Sequence, residues 1–314
     1  MNAPRESASA SSSASNVADD EVAALSPLPP EEYIEQRHFF RVLGDRLREN
    51  LPAQDALAAL REEILTTARL PLAIDFLQME LRHRGSMAEA MARLSHYFTP
   101  FQQFVMHEAE DDRKRFDIYV ALEILAREAQ FRAEGITRQG LFLYQLEAVS
   151  RNRLGYDRGL DAIAADPSFD EPWRLWIFTV RRQIGLVDIA DLIYVRSDYY
   201  HRQRAQQDPG GLSTAESVAA AVREGAPPLF GVREGRVAWA NRRKDPLLLF
   251  AALNRQLGYP EAPRPRPAAE QQPLLPALVR RVEQLEARLK LVEEEQRGGI
   301  QLERFYGPPP ATGP

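Results

Sequence analysis

Phe39–Leu60 reads FFRVLGDRLRENLPAQDALAAL, and a version of it recurs 103 residues later as Phe142–Ile163, FLYQLEAVSRNRLGYDRGLDAI. In both stretches one amphipathic helical pattern runs into a short break, and a second one begins at once. Six apolar positions coincide at this offset: Phe39/Phe142, Phe40/Leu143, Leu43/Leu146, Leu51/Leu154, Leu57/Leu160 and Leu60/Ile163. A period of this size exceeds the unit of a solenoid repeat, so it predicts the duplication of a whole helical domain.

The composition is that of a globular protein. The chain has 314 residues, of which 44% are hydrophobic, and this is enough for two ordinary domain cores. It contains no cysteine. This excludes disulfides, thiolate metal sites and cysteine nucleophiles, and it is typical of a reducing compartment.

The charge is acidic overall and unevenly distributed. Residues 31–135 contain 14 basic and 19 acidic side chains, whereas residues 136–259 contain 17 and 14, within a net charge of −5 for the chain. An acidic total argues against a nucleic-acid-binding protein, which needs a basic surface. We find no signal peptide and no apolar run of about 20 residues, so we expect no transmembrane segment. We therefore expect a cytoplasmic protein that reaches a membrane only through its partners.

Capping signals mark the helices of the first half. Ser86 and Thr99 have the spacing of N-caps, and Gly135 stands where a left-handed residue ends a helix. Around these signals the periodicity predicts helices over Leu72–Arg84 and from about Arg113 to Ala133. Five or six short helices in about a hundred residues predict an all-α bundle.

The second half continues in the same way. Asp170 and Asp245 each precede a proline near the start of a helix, and Val187–Arg204 is helical by its periodicity. Phe230–Trp239 differs, because its Val-Arg-Glu-Gly-Arg-Val sequence is typical of a tight turn or a small hairpin.

These patterns predict an all-α fold of two tandem bundles related by duplication. We divide the chain into a disordered Ser/Pro-rich leader (1–30), a first bundle (31–135), a divergent second bundle (136–259), a Pro-rich linker (260–276), a coiled-coil helix (277–297) and a disordered tail (298–314).

The densest polar cluster consists of His107, Glu108, Glu110, Asp111 and Asp112. On a helix His107 shares a face with Asp111, and Glu108 with Asp112, an arrangement that offers ligands to a hard cation. The spacing is not the His-Glu-x-x-His of a zinc hydrolase. Acidic residues also favour the positively polarised start of a following helix without any metal. We therefore expect no metal, no cofactor and no catalytic residue here.

Basic residues surround a tryptophan in the second half. Trp239 is flanked by Arg233, Arg236, Arg242, Arg243 and Lys244. Such a patch contacts phosphates, an acidic protein or anionic lipid headgroups, or is simply solvated. We favour a protein partner. The sequence has no phosphate-binding loop, dinucleotide fingerprint or nucleophile elbow.

A heptad pattern follows the proline-rich linker. Apolar residues occupy its alternating a and d positions: Leu275, Leu278, Val282, Leu285, Leu289 and Val292. Val282 at a with Leu285 at d favours two strands, whereas Leu289 at a with Val292 at d reverses that pairing, so the preference is partial. Arg281 with Glu286 and Arg288 with Glu293 fit a parallel pair. We expect a weak homodimer through this helix. The alternative is that the stripe packs on the chain's own bundle, because such short helices seldom stand alone.

Several short motifs of the first half occur in the same order as in a known protein family. Asn50–Ala53 is followed by Ala56-Leu57, then by Gly85–Met91, Phe98–Pro100 and Ala109-Glu110. In this order they resemble a cytoplasmic domain of general secretion pathway protein F, the inner-membrane platform protein of type II secretion and type IV pilus systems. That family has two glycines around the glutamate of the last motif, and this chain has neither.

The resemblance covers residues 37–134 and extends to 139–257. In the second stretch Arg153–Tyr156 is similar to the first turn of the family, and Pro227–Phe230 to its Phe-Pro element. The family is built from two related cytoplasmic domains, each followed by membrane helices that this sequence lacks. The resemblance therefore implies an unanchored helical scaffold whose partners are proteins such as the secretion ATPase or membrane components.

We thus expect a non-enzymatic cytoplasmic scaffold that docks onto secretion or pilus machinery. The alternative is a helical adaptor or regulator unrelated to secretion. A metal-dependent enzyme centred on His107–Asp112 is a third reading.

Overall fold

The computed structural model describes residues 28–65, 68–111, 113–114, 116–206 and 227–264, and in this part of the chain the fold is all-α. The described residues form 13 helices and no strand: α1 Pro30–Arg48, α2 Ala53–Glu63, α3 Leu70–Arg84, α4 Met87–Arg93, α5 Pro100–Glu110, α6 Ile118–Ala133, α7 Arg138–Arg151, α8 Tyr156–Ala164, α9 Glu171–Gln183, α10 Ile189–Val195, α11 Asp198–Gln206, α12 Val232–Ala240 and α13 Pro246–Leu257. This confirms the predicted fold class.

The described residues fall within one compact unit, which contains both predicted bundles. Its buried apolar side chains form one cluster that runs from Leu28 to Ala262. Within the unit α1 packs along α6, and α5 packs against α8 across the predicted boundary. The predicted coiled coil and tail lie outside the described residues, as does nearly all of the leader.

The two helices that begin the repeated stretches differ in burial. Helix α1 buries Phe39, Phe40 and Leu43 and exposes its other side, as an amphipathic helix does. Helix α7 is buried at every position from Gly140 to Val149, so the prediction that it is amphipathic is wrong. A helix that is apolar on most of its circumference is covered from all sides. Helix α7 is therefore a central element of the core.

The breaks after α1 and α7 have the same backbone geometry. Asn50 has a φ of 63° and Arg153 a φ of 54°, and these left-handed residues are 103 positions apart. The following leucines donate their N–H groups back into the preceding helix, Leu51 to the Arg46 carbonyl at 3.1 Å and Leu154 to the Val149 carbonyl at 3.0 Å. The next helices, α2 and α8, also begin at equivalent positions. The structure thus repeats the helix–turn–helix unit, while duplication of the whole domain stays a prediction.

Most predicted helix ends are present. The Ser86 hydroxyl accepts the Glu89 N–H, and Thr99 and Gln102 form a reciprocal capping box. Gly135, with a φ of 96°, follows α6 as predicted. The helix expected from about Arg113 begins only at Ile118, because the Asp117 carboxylate accepts the Tyr119 N–H and forms the cap there.

Two predicted elements of the second half are wrong. The helix expected over Val187–Arg204 is broken at Arg196-Ser197, where the Arg196 carbonyl accepts the N–H groups of Leu229 and Phe230. The tight turn or small hairpin expected over Phe230–Trp239 is instead helix α12. The break at Arg196-Ser197 depends on a contact distant in sequence, because Leu229 and Phe230 return to the end of α10.

Candidate functional site

The predicted basic residues lie on α12 and in the turn that follows it. Arg233, Arg236 and Trp239 are three residues apart and exposed, which places them along one side of the helix. The other side, with Gly235 and Ala238, is buried. The structure therefore brings the predicted patch together as a helix face, which we call the α12 face.

Gly235 holds α12 close to the turn between α10 and α11. A Cβ atom at this position would lie 2.1 Å from the Ser197 Oγ and 2.8 Å from the Tyr199 Cβ, closer than real atoms approach. At Gly231, the N-cap of the same helix, a Cβ would meet only the flexible end of Glu234. The backbone of α12 thus packs where only glycine fits.

We expect Gly235→Ala to lower the unfolding free energy by about 1–3 kcal/mol, because the added methyl forces α12 away from Ser197. Gly231→Ala is the matched control and should change stability by less than about 0.5 kcal/mol. Urea unfolding measures both values. Equal stability of the two variants would contradict the close packing of α12.

Arg242 is enclosed by aromatic rings in the turn after α12. Its guanidinium carbon lies 3.7 Å from the centroid of the Trp239 ring and 5.4 Å from that of Tyr194, and its Nε lies 3.2 Å from an Asp191 carboxylate oxygen. Burial raises the pKa of Asp191, and Arg242 opposes that rise. This stacking fixes Trp239 against α10 while the residue stays 42% exposed.

The basic side chains near Arg242 are not paired with a carboxylate as Arg242 is with Asp191. Arg233, Arg243 and Lys244 are exposed, and none has a salt-bridge partner in the part of the chain that the structure describes. Arg236 lies over the Tyr199 ring at 5.8 Å. Arginine and tryptophan at an exposed surface with spare positive charge are typical of protein-binding sites.

The residues of the acidic cluster contact different partners and do not form one site. Glu108 is buried and binds Lys114, with Arg158 at 3.8 Å. Asp111 accepts the Arg113 N–H at 3.1 Å, and His107 is exposed. Asp112 lies outside the described residues. Among the residues that are described, no three His, Asp or Glu side chains are grouped to hold a metal ion.

Glu110 caps the start of α4. Its carboxylate accepts the Ser86 hydroxyl at 2.6 Å and the N–H groups of Met87 at 2.6 Å and Ala88 at 3.0 Å. A negative charge at this end of a helix also complements the helix dipole. The side chain therefore links the end of α5 to the beginning of α4.

We expect Glu110→Gln to cost about 1–2 kcal/mol of unfolding free energy, because an amide cannot accept at both oxygen positions. Glu89→Gln is the control, because Glu89 lies in the first turn of α4, the helix that Glu110 caps, and its side chain is exposed. It should cost less than about 0.5 kcal/mol. Thermal or urea unfolding provides the test, and equal losses in both variants would contradict the capping role.

A buried ion network around Arg132 was not predicted from the sequence. Arg132 binds the carboxylates of Glu128, at 2.9 Å, and Asp166, and donates to the Ser168 hydroxyl at 3.1 Å. Burial lowers the pKa of Arg132, but Asp166 and Glu128 outweigh burial and raise it above its ordinary value. Burial raises the pKa of Glu128. Glu128 and Arg132 lie four residues apart among the apolar positions of α6, a signal visible in the sequence.

The coiled-coil candidates Leu275, Leu278, Val282, Leu285, Leu289 and Val292 lie outside the described residues. No helix in the described ranges is long and apolar enough to cross a membrane.

Comparison of the chain with protein-family models, curated proteins and solved structures found no match.

Proposed function

We propose that the chain is a non-enzymatic helical scaffold that docks onto secretion or pilus machinery. The observation that carries this proposal is the contact between two motifs on which the resemblance rests. Glu110 belongs to the junction motif and binds the helix start at Ser86–Ala88, which belongs to another motif. A chance match of short motifs does not require them to meet, so this contact supports a shared domain architecture.

The α12 face is the proposed docking surface. It presents Arg233 and Arg236 beside the half-exposed Trp239, and Arg242 holds that ring in place. A pre-positioned aromatic anchor with cations around it lowers the entropic cost of binding an acidic protein surface. The partner in this proposal is the ATPase or a membrane component of the machinery.

Site-specific photo-crosslinking in the native cell tests this function. A benzoylphenylalanine in place of Arg233 should cross-link to a secretion ATPase or membrane component, and one in place of Arg82, exposed on α3, should not. Genes for a secretion ATPase and pseudopilins beside this gene should accompany that result. A dominant cross-link to a protein of another system would overturn the link to secretion and support the alternative of an unrelated adaptor.

A further inference from the structure

Glu147 and Arg151, one helical turn apart at the end of α7, form a second group of buried charges, with side chains that are 1% and 4% exposed. The Arg151 Nε donates to Glu147 at 2.5 Å, and its Nη2 lies 3.1 Å from a carboxylate oxygen of Glu261. Burial raises the pKa of Glu147, and Arg151 and the Ala262 N–H oppose that rise. Among the described residues no hydrogen-bond partner exists for the Arg151 Nη1, a donor, or for the Glu147 Oε2, an acceptor. Buried polar atoms of this kind usually bind an ordered water or a ligand.

Both side chains line a cavity of about 330 Å³. One of its walls is α13, which contributes Leu247, Ala251 and Arg255 at helical spacing. Another wall is the segment that follows α13, with Glu261 and Arg264. The volume is that of a small-molecule site, since such sites have roughly 300–1,000 Å³.

Hydrogen bonds hold the segment after α13 against the neighbouring helices. The Asn152 amide donates to the Pro263 carbonyl at 3.1 Å. Arg127, on α6, donates to the Glu261 carbonyl at 2.5 Å. The cavity is therefore preformed, and a preformed site lowers the entropic cost of binding.

The unpaired groups, and not the total charge, indicate the chemistry of the ligand. The charges are nearly balanced, because three arginines and two glutamates line the cavity. Arg264 pairs with Glu261 at 2.9 Å, whereas Arg255 is exposed and has no salt-bridge partner in the described part of the chain. The Arg151 Nη1 and Arg255 offer donors to an acid group, and the Glu147 Oε2 offers an acceptor to an amine.

We propose that the cavity binds a free α-amino acid with an apolar side chain. The carboxylate of the ligand accepts from the Arg151 Nη1 and pairs with Arg255, and its ammonium group donates to the Glu147 Oε2. Its side chain packs on Leu247 and Leu248, which are 41% and 56% exposed. A carboxylate alone would place its charge near Glu147, and an amine alone would place its charge near Arg151. The inference does not depend on the proposed docking function.

Isothermal titration calorimetry of the full chain with L-leucine tests the inference. We expect a Kd on the order of 100 µM, as for a small ligand in a preformed site. The analogue 4-methylpentanoate lacks the amine and 3-methylbutylamine lacks the carboxylate, so each should bind at least about tenfold more weakly. Glycine, which lacks the apolar side chain, should also bind at least about tenfold more weakly.

Variants locate the binding. Arg255→Gln should raise the Kd for L-leucine about fivefold to tenfold, because it removes an exposed cation that pairs with the carboxylate. Arg82→Gln is the matched control, since Arg82 is exposed on α3 and does not line the cavity, and it should change the Kd by less than about twofold.

Glu147→Gln separates recognition of the amine from a general structural effect. It should weaken binding of L-leucine about tenfold but should not weaken binding of 4-methylpentanoate, because the lost charge attracts an ammonium group and repels a carboxylate. A structural effect alone would weaken the binding of both ligands.

Three results would overturn the inference. Absence of L-leucine binding at a concentration about a hundredfold above the expected Kd shows a cavity that holds water only. Equal affinities for L-leucine and 4-methylpentanoate show that Glu147 does not recognise an amine. Equal affinities of Arg255→Gln and Arg82→Gln for L-leucine place the binding outside the cavity.

Discussion

Arg132→Met should lower the unfolding free energy by about 3–5 kcal/mol, because it leaves two buried carboxylates without their cation. Arg132, Glu128 and Asp166 are all fully buried in their side chains. The guanidinium also lies 5.8 Å from the centre of the Tyr33 ring, so the network joins α1 and α6 to the loop after α8. Urea unfolding of the full chain measures the loss.

Arg127→Met is the matched control for this prediction. Arg127 lies on the same helix and pairs with Glu123 at 2.6 Å, but both side chains are more than one-third exposed. Exposed pairs contribute little, so the control should lose less than about 1 kcal/mol. Equal stabilities of Arg127→Met and Arg132→Met would show that the buried ion network does not stabilise the core.

A triple variant separates two contributions to the stability loss: the missing cation and the missing packing of the arginine side chain. Adding Glu128→Gln and Asp166→Asn to Arg132→Met removes the uncompensated charges, so the triple variant should be more stable than Arg132→Met alone. If the triple variant is no more stable, packing of the arginine side chain accounts for the loss.

The loss in Arg132→Met should also depend on pH. Burial raises the pKa of Glu128, and without Arg132 only the hydrogen bond from Gln145 opposes that rise. A raised folded-state pKa favours folding below the ordinary value of glutamate, about 4.3, and this contribution disappears as the pH rises through the raised pKa. The deficit relative to the wild type should therefore grow from acidic toward neutral pH. A deficit that is constant with pH would contradict this assignment.

Phe142→Ala should cost about 3–5 kcal/mol, because it opens a cavity in the aromatic cluster around α7. The Phe142 ring centre lies 4.8 Å from that of Trp176 and 5.8 Å from that of Trp173, and both tryptophans lie 5.2 Å from Phe230. Phe142 is fully buried. Because Phe230 immediately precedes α12, the cavity should also loosen the α12 face.

The control for this cavity is Phe178→Ala on α9. Phe178 is 40% exposed, so its removal should cost less than about 1 kcal/mol. Urea unfolding followed by tryptophan fluorescence measures both variants. A loss below about 1.5 kcal/mol in Phe142→Ala would contradict the central position of α7.

Features set by neighbouring residues could be predicted from the sequence. The caps at Ser86 and Thr99 depend on hydrogen bonds within one helical turn. The break after each repeated helix depends on a left-handed residue and a bond to a carbonyl five positions earlier. The basic residues of the α12 face could be found because they are close in the sequence, although their secondary structure was predicted wrongly.

Features set by distant contacts could not be predicted in this way. Helices α1 and α7 carry similar patterns, yet only α7 is covered on all sides, because burial depends on which helices pack around it. The ion network needs Asp166 beside α6, and the cavity needs α13 and residues 261–264 beside the end of α7. The sequence alone therefore determined the all-α class, the helix caps and the repeated turn, since hydrogen bonds within a few residues specify them. Only the tertiary structure decided the central helix, the buried charges and the cavity, since these arise where chain segments far apart in sequence exclude water together.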